Sequence, residues 1–229
     1  GEGAWLVTVA IRLLVLVMRG IRRHYRRLSR RLKAGAAAVV AESRAANSTL
    51  LIVEALDRAS DEALWFAREI SPQRLRAVHV PRSGTDPGIR PRWFKRTGGE
   101  PPLEALPPEG GMTDAILEQV WQLPRSESSF VTVVIPEAFR SESLLEQARR
   151  PHELLLKLRL LAEAGVVVAD VPVIDDRSRP APKRLIVRVL VPGVNAASMR
   201  AVNYAQTLGI PDTRAVHFAF SGADARAIR

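Results

Sequence analysis

Two acidic residues stand where an α/β sheet could use them. Asp57 follows the short β-type run 50–55 (LLIVEA), and Glu137 follows the run 130–135 (FVTVVI). At the carboxyl edge of an open parallel sheet, such acids can line a nucleotide cleft. Each serves equally well as charge at a helix N-terminus or as a turn residue. The four histidines are His24, His79, His152 and His217, and no pair has the close spacing of metal ligands. Without cysteine there is no disulfide, thiol nucleophile or cysteine-based zinc site. No serine lies in a G-x-S-x-G elbow. The sequence therefore predicts a protein that is not an enzyme and holds no metal. Trp65, Trp93 and Trp121 read as packing residues.

The elements that carry these residues alternate regularly. The run 50–55 predicts a strand, 59–70 a helix that Ser60 could cap, and 75–80 a second strand. Strand, helix and strand with short connections make a βαβ unit with parallel pairing. Residues 81–108 are rich in Pro and Gly, with RWFK at 92–95 a remnant of a helix and 102–106 a third strand. Residues 112–123 predict an amphipathic helix. The run 130–135 is continuous and β-branched, as in a strand buried on both faces. A helical region from 144 is interrupted by Pro151 and continues to 162, and 166–171 (VVVADV) is a fifth strand. The expected fold is α/β, an open parallel sheet with helices on both faces.

After a linker at 174–183 the pattern restarts. Residues 51–80 align without gaps with 189–218 at a constant offset of 138. Val53, Ala59, Ser60, Ala63 and Ala67 recur as Val191, Ala197, Ser198, Ala201 and Ala205, and RAVH at 76–79 recurs at 214–217. Asp57 corresponds to Asn195, and Phe66 to Tyr204. The equivalence of His79 and His217 points to structural roles. Residues 184–229 are thus expected to be the first half of a second, repeated α/β domain, truncated at the chain end.

The net charge of +10 is unevenly placed. Residues 1–41 hold nine Arg or Lys against Glu2, a net +8, leaving +2 for the rest. An excess confined to one helix-like segment argues against nucleic-acid binding, which spreads basic residues over a folded surface. Residues 4–18 (AWLVTVAIRLLVLVM) are apolar except Thr8 and Arg12, and 19–33 then carry eight basic residues and no acid. Such a junction reads as a helix leaving a membrane on its cytoplasmic side. The apolar run is shorter than the roughly 20 residues that cross a bilayer, so 1–18 is read as the end of a transmembrane helix. The alternative is an amphipathic helix on a surface. Trp5, Arg19, Arg22, Arg23, Arg26 and Arg27 are the expected interface residues, meeting anionic headgroups. Ile21, Tyr25, Leu28 and Leu32 form an apolar stripe opposite the arginines.

The segments 21–32 (IRRHYRRLSRRL), 51–80, 130–137 (FVTVVIPE) and 155–172 (LLKLRLLAEAGVVVADVP) resemble the cytoplasmic tails of permeases of the amino acid–polyamine–organocation superfamily. Those tails are similar to universal stress protein domains. The resemblance covers nearly the whole chain. It implies the end of a last transmembrane helix at 1–18, a basic juxtamembrane helix and linker at 19–48, and a stress-protein-like domain at 49–173. It implies a plasma-membrane protein with everything after about Arg19 cytoplasmic, an upstream transmembrane domain, and homodimerisation through the α/β domains. The implied function is the regulatory or dimerisation region of a permease for amino acids or related organic cations. A potassium importer of the same superfamily is the alternative, and a soluble nucleotide-sensing protein with a membrane-binding helix is the rival. An adenine nucleotide is the implied regulatory ligand, although PEAF at 136–139 stands where nucleotide-binding stress proteins carry a Gly-rich phosphate loop.

Overall fold

The structure is a computed structural model. It describes residues 46–79, 81, 87–106, 111–125, 129–139, 151–174 and 184–218. The elements run β1 (Ala46–Val53), α1 (Arg58–Ile70), β2 (Leu75–His79), α2 (Ile89–Thr97), β3 (Leu103–Ala105) and α3 (Met112–Gln122). They continue with β4 (Ser129–Phe139), α4 (Pro151–Ala162), β5 (Val166–Ile174), β6 (Val187–Leu190), α5 (Ala196–Thr207) and β7 (Thr213–Val216).

Strands β1 to β5 form one parallel sheet in the order β3-β2-β1-β4-β5. Leu51 of β1 pairs with Ala77 of β2 on one side and Val134 of β4 on the other. Alternation along the central strands sends side chains to two cores. Leu50, Ile52, Val131 and Val133 pack with Ile116 and Val120 of α3 and with Leu156 and Leu160 of α4. Leu51, Val53 and Val134 pack with Ala63, Leu64 and Ala67 of α1 and with Ile89 and Trp93 of α2. Strands buried on both faces are apolar without interruption, which is why LLIV and FVTVVI are the clearest strand signals in the chain. The fold is the open parallel α/β sheet that the sequence predicts.

Three local expectations change. Strand β1 begins at Ala46, inside the predicted linker. Asn47 and Ser48 are 6% and 7% exposed there, and parallel pairing with β4 satisfies their backbone. The remnant at 92–95 is the core of a nine-residue helix. Trp93 anchors it: the ring is buried and Nε1–H donates to the Pro101 carbonyl at 2.7 Å. Gly98 ends it in the left-handed conformation, φ 73°, with its N–H on Phe94 O at 2.9 Å. The cap of α1 is Asp57, not Ser60. The Asp57 carboxylate accepts from Ser60 N at 3.0 Å, and the Ser60 hydroxyl donates to Ala55 O.

Helix α4 is apolar on both sides. Leu156 and Leu160 enter the core, while Leu154, Leu155, Leu158 and Leu161 are each more than half exposed.

The described residues divide into two compact units, one within 46–188 with 203–214, the other of 189–202 with 215–218. Strands β6 and β7 form a two-stranded sheet. Val187 N–H donates to Asp212 O, and Val191 N–H to Val216 O. The partners advance together along both strands, so the strands run the same way, as the repeat predicts. Among the described residues no helix is long and apolar enough to cross a membrane. Trp5, Arg19, Arg22, Arg23, Arg26 and Arg27, with the expected transmembrane end and basic helix, lie outside the described residues, as does the predicted helix start at 144–149.

Candidate functional site

Strand order 3-2-1-4-5 reverses direction between β1 and β4. In open α/β sheets the connections after two such strands diverge to opposite faces, and the crevice between them is where ligands bind. Asp57 follows β1 at this edge, and Glu137 lies near the end of β4.

Asp57 is occupied structurally. Its carboxylate caps α1, satisfying a backbone donor that the first helical turn leaves without a partner. Asp61 in the first turn pairs with Arg96 of α2 at 2.5 Å, and Arg96 also donates to Leu56 O at 3.1 Å. The hydrogen bond that Arg96 donates to Asp61, opposed in part by burial, raises the Arg96 pKa above its usual value. The turn after β1 is thus tied from both sides.

Glu137 does not follow β4 but lies within it, in register with Pro172 of β5. It shares a face of the strand with Val133 and Ile135, which pack toward α3 and α4. Its partner is Lys157 of α4 at 3.6 Å, and Lys157 also meets Asp170 of β5 at 2.9 Å. Burial works against the Lys157 charge, but Asp170 and Glu137 together outweigh it and raise its pKa. Asp57 caps α1, which packs on the opposite core. The geometry therefore gives the two acids separate tasks on opposite faces of the sheet.

His79 is held by the strand beside it. The ring is 5% exposed, and Nδ1 lies 2.7 Å from Val53 O. A carbonyl only accepts, so Nδ1 carries the proton of this bond. Nε2 is buried with no hydrogen-bond partner among the described residues. His217 repeats this in the second copy, with Nδ1 at 2.8 Å from Val191 O and Nε2 again without a partner. Asn195 likewise repeats Asp57, accepting from Ser198 N at 3.0 Å.

One polar cluster escaped the sequence reading. Thr132 of β4 is fully buried and donates to Asn47 Oδ1 at 2.8 Å. Asn47 Nδ2 donates to Thr49 Oγ1 at 3.3 Å, and Asn47 O accepts from the Ser71 hydroxyl at 3.1 Å. The Tyr204 hydroxyl lies 2.9 Å from Thr132 Oγ1, and its ring meets Phe130 edge-on at 5.4 Å. Burial raises the Tyr204 pKa, with the Thr132 bond opposing. The only sequence signal was one threonine inside an otherwise apolar strand.

Fold and edge define a doubly wound α/β domain with its topological switch point between β1 and β4 and no assembled set of catalytic side chains among the described residues. The profile of the KimA potassium transporter C-terminal domain matches residues 42–173, more than half of the chain and all of the five-stranded sheet but its last residue, Ile174. The chain belongs to this family. No curated protein matches the chain. The match bears on transport and a membrane context, and it favours the potassium alternative over the amino acid permease.

Proposed function

We propose that this chain is the C-terminal region of a membrane potassium importer, a cytoplasmic regulatory and dimerisation element that does no chemistry. The observation that carries the reading is the family match across 42–173, coincident with the five-stranded sheet. The basic segment 19–33 supports a position beside anionic lipid on the cytoplasmic side. The outward leucines of α4 are apolar surface of the kind that assembly covers. The stress-protein likeness supports an adenine nucleotide as regulatory ligand at the β1–β4 crevice, bound without the usual glycine-rich loop. The test is growth on limiting potassium of cells lacking their own uptake systems and expressing the gene that encodes this chain. Growth rescue is expected, and deletion of residues 42–229 should change the uptake rate. Failure to rescue, with gain of amino acid uptake instead, would return the permease reading.

A further inference from the structure

Helix α2 combines charge and exposure in an unusual way. Its nine residues (IRPRWFKRT) include Arg90, Arg92, Lys95 and Arg96 and no acid. Ile89 and Trp93 turn inward, at 4% and 3% exposure. At 100° per residue the opposite arc holds Pro91, Phe94 and Lys95, with Arg90 at its margin beside Phe94, and all four are exposed. Arg96 is committed to Asp61, and Arg92 Nε donates to Gly88 O at 3.2 Å. Arg90 and Lys95 have no ion-pair partner among the described residues. Between them Phe94 is 64% exposed. Its ring is held in place by Gly99: a Cβ there would stand 2.7 Å from the ring. The helix is anchored by its tryptophan and presents an aromatic flanked by two basic side chains.

The geometry points to α2 as a second membrane contact, with Phe94 entering the headgroup region of an anionic phospholipid surface and Arg90 and Lys95 pairing with its phosphates. The charge complementarity decides the occupant. A helix that presents Arg90 and Lys95 beside Phe94 and carries no anion matches a surface of fixed negative charge, and an exposed aromatic gains where an apolar phase lies beneath that charge. This inference rests on the proposed membrane position and extends it from the basic segment 19–33 to the folded domain.

The chain has no cysteine, so one engineered cysteine gives a clean reporter. Pro91→Cys, on the outward arc, and Trp121→Cys, a control on α3, each receive a polarity-sensitive fluorophore in the full chain. The probe surfaces are vesicles of phosphatidylglycerol with nitroxide-labelled lipid, and phosphatidylcholine alone. Sedimentation reports whether the chain binds vesicles at all, and quenching reports whether α2 touches lipid. Quenching at position 91 and not at 121 is expected, confined to anionic vesicles and weakened by salt. Adding Arg90→Glu, Lys95→Glu and Phe94→Ser should abolish it, since each basic side chain contributes roughly a factor of five to partitioning. Circular dichroism confirms that these outward substitutions leave the fold intact. Sedimentation without quenching at 91, or equal quenching at both positions, overturns the assignment of α2. Failure to sediment overturns the membrane position as well.

Discussion

The hydroxyls of Thr132 and Tyr204 lie 2.9 Å apart, 72 residues apart in sequence, where a buried polar cluster meets the edge-on contact of Tyr204 with Phe130. Thr132 also holds Asn47 Oδ1. Removing Thr132 therefore strands two partners, whereas removing the Tyr204 hydroxyl strands one end of a bond. Thr132→Val should lower unfolding free energy by about 1–3 kcal/mol and Tyr204→Phe by about 0.5–1.5 kcal/mol. Urea denaturation checks the order. Equal effects would mean that the cluster acts through packing alone.

The same phenol predicts alkaline behaviour. Burial holds the Tyr204 pKa above its usual 10.0. A raised pKa means that the folded state keeps its proton more tightly than the unfolded state. The stabilisation is then complete below about pH 10 and is lost as pH rises through the folded value. Tyr204→Phe should flatten part of the alkaline fall in stability and leave neutral pH dependence unchanged. Denaturation midpoints measured from pH 7 to 11 read this directly.

Asp57 separates capping from ligand binding. Asn195 performs the same cap in the repeat, so Asp57→Asn should be nearly neutral for stability. Asp57→Ala should cost about 0.5–2 kcal/mol. If Asp57 also contacts a nucleotide, Asp57→Asn weakens ATP or cyclic-dinucleotide binding in calorimetry while the melting temperature holds. If neither variant alters binding heat, Asp57 is a cap and nothing more.

His79 predicts an asymmetry between the repeats. His79→Leu leaves the Val53 carbonyl without its donor in a buried setting and should cost about 1–3 kcal/mol. His217→Leu makes the same change at Val191, where the ring is half-buried and water can replace the donor, so it should cost less. Thermal unfolding of both single variants gives the comparison.

Much of the fold was legible because its signals are local. LLIV and FVTVVI are apolar without interruption, and only a strand covered on both faces requires that. The 138-residue offset matches Asp57 with Asn195 and His79 with His217, and each pair makes the same hydrogen bond. The missed features depend on distant partners. Asn47 looked like linker because its polarity is satisfied by Thr132, 85 residues away. The helix around Trp93 looked like a remnant because Pro and Gly surround it. Its stability comes from burying Trp93 and from the bond to Pro101. Glu137 looked like an edge acid because the apolar β-branched run stops at Ile135. In β4, next to β5 as its outer neighbour, Pro136 pairs in register with Val171 and the strand continues.

The most direct test of the whole account is ion flux. Membrane vesicles from cells expressing the gene that encodes this chain would be assayed side by side for rubidium, as a potassium analogue, and for a mixture of labelled amino acids. The account predicts rubidium uptake, competed by potassium and altered in rate when residues 42–229 are deleted, with no amino acid uptake above background. Amino acid uptake without rubidium flux, or flux indifferent to the deletion, would contradict it.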